Sequence, residues 1–221
     1  MKVGTDGVLL GAWAPISNKQ SSISTILDVG TGSGLIARML MQRCPQAQVE
    51  GIDIDEAAVE QARENGVQAY CSSLQEWQIV NRQSSDCQLY DLIVSNPPYF
   101  QNSLKNPDKS RQTARHTDTL SYEELLIHSA RLLRENGQLA LILPADSEEA
   151  VRSLAERYSL FCTRVTRVFS KDTKPARRIL LAFEKTTGSL VITPVEDTLI
   201  LENEIGGRSA AYSELCKDFY L

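Results

Sequence analysis

Two short segments carry residue types that chemistry could use. Asp28-Val-Gly-Thr-Gly-Ser-Gly34 follows an apolar run and opens a helical pattern. Its glycines, Gly30, Gly32 and Gly34, allow a tight turn and close approach of backbone to a ligand. Asp53 ends the next apolar run, 19 residues after Gly34, where a carboxylate can accept both hydroxyls of a ribose. A dinucleotide site asks for G-x-G-x-x-G, with a pyrophosphate on the helix N-terminus. Here the spacing is G-x-G-x-G behind Asp28. That carboxylate would repel a pyrophosphate but can orient an ammonium through the turn or a bridging water. The combination suits the amino-acid end of S-adenosylmethionine better than NAD. The second segment, Ser95-Asn-Pro-Pro-Tyr99, closes another apolar run, and Pro97-Pro98 locks its backbone.

The surrounding pattern supplies the elements that must hold these residues. Thr25–Gly30, Val49–Ile54, Val67–Cys71, Asp91–Ser95 and Gln138–Pro144 read as strands. Leu35–Cys44, Glu56–Asn65, Ser121 to about Arg134, and Ser147–Tyr158 read as helices. Ser121 with Glu124 has the spacing of a capping box, and Asn65-Gly66 and Asn136-Gly137 are stop signals. Leu160–Phe169 and Arg178–Lys185 are expected to pair as a hairpin across the basic loop Ser170–Arg177. Strands alternating with helices predict an α/β fold with a mostly parallel sheet and right-handed crossovers, antiparallel at one end. Val8–Leu10 has the makings of a core helix face, and Trp13 and Trp77 are expected in the core.

With these motifs in this order, the chain resembles the class I S-adenosylmethionine-dependent methyltransferases, specifically those that methylate a planar NH2. The resemblance implies a Rossmann-like, seven-stranded, mostly parallel sheet with a C-terminal antiparallel hairpin strand and helices on both faces. One domain, 1–221, is expected: an N-terminal cap segment 1–24, a sheet core 25–185 and a C-terminal extension 186–221. The chemistry explains the residue types. An exocyclic amino group is a poor nucleophile because its lone pair is delocalised into the ring. Asn96 Oδ1 and the Pro97 carbonyl, fixed by Pro98, can accept its two hydrogens and favour a pyramidal nitrogen. Tyr99 can stack on the target ring, at roughly 1–3 kcal/mol per base.

The opening Lys2-Val-Gly-Thr-Asp-Gly-Val-Leu-Leu-Gly-Ala-Trp13 narrows the resemblance. It is similar to the start of the bacterial tRNA (adenine-N6)-methyltransferases that modify nucleotide 37 of a valine tRNA. The likeness continues through Asn96–Phe100, Gln112-Thr-Ala-Arg-His116, Arg178-Ile-Leu-Leu-Ala-Phe183 and Tyr212 to Leu221. It implies that Lys2, Thr5 and Asp6 lie near the cofactor or the target base. The chain departs from the family in three places. The family usually carries further residues ahead of this opening, and its connection after Asn65 is usually longer. It often has Ala-Asp where this chain has Ser72-Ser73, so Ser73 takes the place of an acidic acceptor for the cofactor's adenine amino group.

Composition agrees once it is resolved along the chain. The 221 residues carry a net charge of −5, which taken alone argues against a nucleic-acid partner. Yet residues 1–64 hold five basic and eight acidic groups, and residues 186–221 hold two and six, whereas residues 100–180 hold fourteen and ten. The basic middle is where tRNA phosphates would be gripped. Arg111, Arg115 and His116 follow the catalytic loop and could hold phosphates beside a flipped nucleotide. Lys174, Arg177 and Arg178 would act from the hairpin. Arg164 and Arg167 are weaker candidates, since they can alternate out of a strand into solvent. Phe100 could wall the base pocket. The five scattered cysteines form no CxxC pair and the histidines number two, so neither a metal nor a disulfide framework is expected. No run approaches a membrane span. A cytoplasmic monomer acting on tRNA with S-adenosylmethionine is the leading expectation. Two alternatives stay open: a release-factor glutamine N5-methyltransferase, since a glutamine amide is also a planar NH2, and a catalytically weak, RNA-binding methyltransferase fold.

Overall fold

A computed structural model describes residues 4–16, 23–83, 89–98, 120–188 and 193–219. Consecutive apolar runs build its centre, because strands covered on both faces have no polar side to alternate with. These are β1 (Thr25–Val29), β2 (Gln48–Asp53), β3 (Gln68–Cys71), β4 (Tyr90–Ser95) and β5 (Leu133–Pro144). They are followed by β6 (Leu160–Phe169), β7 (Arg178–Lys185) and β8 (Val195–Ile200). The sheet order is β3-β2-β1-β4-β5-β7-β6-β8. The first five strands pair in parallel, β7 runs antiparallel to both β5 and β6, and β8 lies parallel to β6.

The helices are α1 (Thr5–Trp13), α2 (Leu35–Arg43), α3 (Glu56–Glu64), α4 (Leu74–Gln83), α5 (Tyr122–Leu132), α6 (Glu148–Glu156) and α7 (Ala210–Leu215). Alternate residues of each strand feed two cores. Ile26, Leu92, Ile142 and Leu180 face α1, α2, α3 and α7. Leu27, Ile93, Leu141 and Leu181 face α4, α5 and α6. Ser121 and Glu124 form the expected capping box at the start of α5. Among the described residues, no helix is long and apolar enough to cross a membrane.

The α/β fold with a mostly parallel sheet, an antiparallel C-terminal end and helices on both faces is the one expected, with one strand more than the seven predicted. The added strand, β8, lies in the segment read as a C-terminal extension. Only Leu199 of its six residues is buried, so it shows no apolar run. Two helices go further than the sequence reading: of α1 only the core face Val8–Leu10 was expected, and α4 was not. Gly7–Trp13 of α1 are all buried, so the whole circumference is apolar and the 3.6-residue period vanishes. Gly11 lets α1 close on α2, since a Cβ there would stand 2.7 Å from Met39 Sδ. The other helix is α4.

Candidate active site

The glycine-rich turn leaves β1 at the carboxyl edge of the sheet, where the strand order reverses between β1 and β4, the position at which open α/β sheets take their ligands. Gly30 and Gly32 take left-handed backbone angles, φ 71° and 56°. Gly34, at φ 80°, faces Val67, whose Cγ2 would lie 2.7 Å from any Cβ added there. The Gly30 and Thr31 amides donate to the Ile52 carbonyl at 2.9 and 3.0 Å. Gly32 N donates to Asp53 Oδ2 at 2.9 Å, tying the turn to the end of β2. Asp53 Oδ1 accepts from Asp55 N at 3.1 Å. Ile54, the next residue, is an apolar side chain 56% exposed at this edge.

Asp28 is fully buried beneath the turn. Its Oδ2 accepts from Thr31 Oγ1 at 2.7 Å and from Ala37 N at 3.2 Å. Its Oδ1 has no hydrogen-bond partner. Burial raises the carboxyl pKa from 3.8 to about 7, against the pull of those two bonds, and the charge of Asp53 adds to the rise. A buried carboxylate oxygen without a donor costs free energy, so this position suits a ligand that brings a cationic or N–H donor toward it.

The second motif stands beside the first. Ser95 at the end of β4 is the register partner of Val29, and its hydroxyl donates to the Val29 carbonyl at 2.8 Å. The next residues on the two strands are Gly30 and Asn96. One strand spacing, about 4.8 Å, therefore separates the turn from the Asn-Pro-Pro segment where they leave the sheet. Asn96 is half-buried, Pro97 buried and Pro98 exposed.

The remaining expected positions divide. Ser73 is tied up as the N-cap of α4: its Oγ accepts from Glu76 N at 3.2 Å and donates to Glu76 Oε2 at 2.9 Å. Thr5 is exposed at the start of α1. Asp6 is held by Arg178, with Oδ2 to Nε at 2.9 Å. Because Arg178 pairs in register with Pro144, the start of β7 lies at the same sheet edge as the end of β5. The loop between β6 and β7 therefore opens on the edge that carries Asn96. Within it Lys174 and Arg177 are exposed. Lys171 pairs with Glu202 at 3.4 Å. Arg164 and Arg167 are neutralised, by Asp197 and by Glu148 with Glu196. Lys2, Tyr99, Phe100, Arg111, Arg115 and His116 lie outside the described residues. Residue types alone overlooked Ile54 and Glu76 at this edge, although the Ser73-x-x-Glu76 spacing is itself a capping signal.

The Methyltransferase small domain family matches residues 14–162. The chain is 44% identical over 223 residues to a tRNA1(Val) (adenine(37)-N6)-methyltransferase of Phocaeicola vulgatus, covering 100% of this chain and 91% of that protein. A protein of the same name from Proteus mirabilis is 40% identical, with 100% and 88% covered. Among solved structures, a predicted O-methyltransferase from Agrobacterium tumefaciens superposes with a TM-score of 0.69 over 96% of both chains at 14% identity. That last likeness is one of fold.

Proposed function

The chain belongs to the tRNA1(Val) (adenine(37)-N6)-methyltransferase family, and on that footing we propose that it transfers the methyl group of S-adenosylmethionine to N6 of an adenine in tRNA, adenine 37 of a valine tRNA being the expected position. The observation that carries this reading is the Val29–Ser95 register. It sets the glycine turn, with the unpartnered oxygen of Asp28 beneath it, next to Asn96.

The residues present fit the cofactor. Gly30, Gly32 and Gly34 form a turn that backbone-hugging ligands require. Asp28 would answer the ammonium of the methionine end, directly or through a water, and Asp53 the ribose hydroxyls. Ile54 offers an apolar face to the base. Thr5 and Asp6 border the site from α1, and Ser73 contributes by holding the start of α4. When bound, S-adenosylmethionine supplies a methyl group on a positively charged sulfur, already activated for attack.

The chain's own contribution is positioning and polarisation. Asn96 Oδ1 and the Pro97 carbonyl accept the two hydrogens of the adenine amino group. That pulls electron density back onto nitrogen and turns its lone pair out of the ring plane. Both acceptors are neutral, so they orient the amine without deprotonating it beforehand. Pro98 stiffens the segment, and in this reading Tyr99 would stack on the extruded base and Phe100 would wall its pocket. The chemistry asks for no metal, because the activation resides in the sulfonium.

The tRNA backbone would lie along the same edge. From β4 to β7 is two strand spacings, about 10 Å, a span that supports a role for Lys174 and Arg177 within a nucleotide or two of a base at Asn96. Lys2, Arg111, Arg115 and His116 complete the phosphate grip in this reading. Arg178 contributes through its pairing with Asp6. The enzyme would work as a monomer in the cytoplasm. Mass spectrometry of tRNA nucleosides from cells with and without the gene tests the assignment. Loss of one N6-methyladenosine is expected. Unchanged tRNA, with a missing N5-methylglutamine in release factors instead, would overturn it.

A further inference from the structure

The carboxyl edge of the sheet carries a second feature that the reading above leaves unused. β6 and β8 end together, Phe169 opposite Ile200, and both run in the direction of β4 and β5. The chain beyond β8 therefore emerges on the edge that carries Asn96. There it folds back on itself, closed by an antiparallel bridge between Glu202 and Arg208. Leu201 N donates to the Phe169 carbonyl at 2.9 Å and Glu202 N to the Ser170 carbonyl at 3.0 Å. Glu202 also pairs with Lys171 at 3.4 Å. This turn is thus bound to the start of the basic β6–β7 loop.

Its tip is held from within. Asn203 N donates to the Gly207 carbonyl at 2.8 Å, and Gly206 N to the Asn203 carbonyl at 3.1 Å. The Asn203 side chain accepts from Gly207 N at 2.8 Å and donates to the Arg208 carbonyl at 3.2 Å. Gly206 takes a left-handed backbone, φ 86°. Behind the turn, the Arg208 guanidinium lies 5.8 Å over the ring of Tyr212, itself part of the core. What this scaffold presents is Ile205, 94% exposed. Turns draw on Gly, Asn, Asp and Ser for backbone reasons, and an isoleucine left in water gains nothing from burial. A single exposed hydrophobe is ordinary on a protein surface. This one differs because a hydrogen-bonded turn holds it out beside a row of cations.

Charge decides what such a tip can meet. Lys174 and Arg177 stand exposed in the adjoining loop and suit phosphates. Beside Ile205 is the exposed carboxylate of Glu204, which repels a phosphate, so the tip is not built for the RNA backbone. From β4 to β8 is four strand spacings, about 19 Å along the edge, several nucleotides from a base at Asn96. Single-stranded loops offer unstacked bases whose faces are open to contact, and apolar side chains serve as wedges against bases. We propose that Ile205 packs on the face of an unstacked base in the tRNA loop, several nucleotides from the methylated adenine, while Lys174 and Arg177 hold phosphates between the two. The proposal rests on tRNA being the substrate.

Anisotropy titrations of the full chain with a valine tRNA, and with copies lacking one loop base at a time, test this. Ile205→Ala should weaken binding about tenfold, the effect of about two buried methylene groups. Its thermal midpoint, its affinity for S-adenosylhomocysteine and its salt slope should stay those of wild type, because no phosphate contact is lost. Ile205→Met keeps the apolar surface and should bind as wild type does. Removing one particular loop base should cost wild type the same factor and Ile205→Ala nothing further, the non-additivity of two groups in contact. No loss in Ile205→Ala, or a loss that adds in full to every base removal, overturns the role of Ile205. Wild type that binds no tRNA overturns the substrate reading instead.

Discussion

Asp6 and Arg178 are 172 residues apart in the chain and meet at 2.9 Å, Oδ2 to Nε. The contact fastens the first turn of α1 to the first residue of β7. At the other end of α1, Trp13 Nε1 donates to Thr166 Oγ1 at 2.8 Å, and the Arg164 guanidinium stacks over the Trp13 ring at 4.9 Å. Between these anchors Gly7 and Gly11 rest on Leu35 and Met39 of α2. A helix without a polar face is thereby pinned against α2, which the glycine turn opens. The Asp6 and Arg178 side chains are 23% and 31% exposed, so their pairing should be worth about 0.5–1 kcal/mol. Asp6→Asn, Arg178→Gln and the double variant form a cycle whose coupling energy from denaturant unfolding should fall in that range. Additive single effects would show that the pair does not hold α1.

The division among basic residues predicts a selective salt effect. Arg164 and Arg167 lie in strand β6 against Asp197, Glu148 and Glu196, while Lys174 and Arg177 stand exposed in the following loop. Replacing Lys174 and Arg177 together by Gln should lower the slope of log K for tRNA against log salt by about 1.5, since each phosphate contact contributes about 0.7–0.9. Replacing Arg164 by Gln should leave the slope unchanged. Fluorescence-anisotropy titrations of tRNA between 50 and 200 mM salt, roughly the range over which the effect develops, measure both. A slope that Arg164 lowers and Lys174 with Arg177 do not would reverse the assignment.

The same ion pairs mark what a sequence reading can reach. Thr25–Val29 and Tyr90–Ser95 were legible because local composition decides a strand that is buried on both faces. The Gly30–Gly34 turn and Asn96 were legible because their spacing is local. The partners of Arg164 and Arg167 come from β8 and α6, and β8 has too little apolar content to be read before the fold is known. Ser73 could equally be a free acceptor or a cap, and only the position of Glu76 decides between them. Arg178 reads as one more member of a basic run until α1 brings Asp6 against it.

Asp28 should give apo stability a distinctive pH dependence. Its folded-state pKa, about 7, is raised above the ordinary 3.8 chiefly by burial. Between those values the native protein keeps a proton that the unfolded chain has released. The stability contribution is therefore present at low pH and is lost as pH rises through the window from about 4 to about 7, by roughly 1.4 kcal/mol per pH unit. Asp28→Asn has no such proton, so its unfolding free energy should be flatter from pH 5 to pH 8 and should exceed wild type most at the alkaline end. S-adenosylmethionine should bind wild type more tightly as pH rises through about 7, because an ammonium favours the ionised carboxyl. Urea unfolding and titrations at pH 5, 6, 7 and 8 (about one-unit steps across the window) provide the measurement. Parallel curves for the two proteins would remove Asp28 as the cause.

Asn96 should separate methyl transfer from cofactor binding. Its position is fixed by Ser95, whose hydroxyl bonds the Val29 carbonyl and which is 1% exposed. Asn96 itself is half-buried and follows the end of β4, so truncating it leaves both the sheet register and the glycine turn in place. What Asn96→Ala removes is one of the two acceptors proposed to orient the adenine amine. Loss of a group that acts on charge developing in the transition state costs about 10²–10³ in kcat. The expected result is a fall of that size in single-turnover methylation of tRNA, with the dissociation constant for S-adenosylhomocysteine within about twofold of wild type, the pattern of an interaction made in the transition state. Normal turnover in Asn96→Ala would place the acceptor elsewhere, whereas weakened cofactor binding with unchanged turnover would make Asn96 part of the cofactor turn instead.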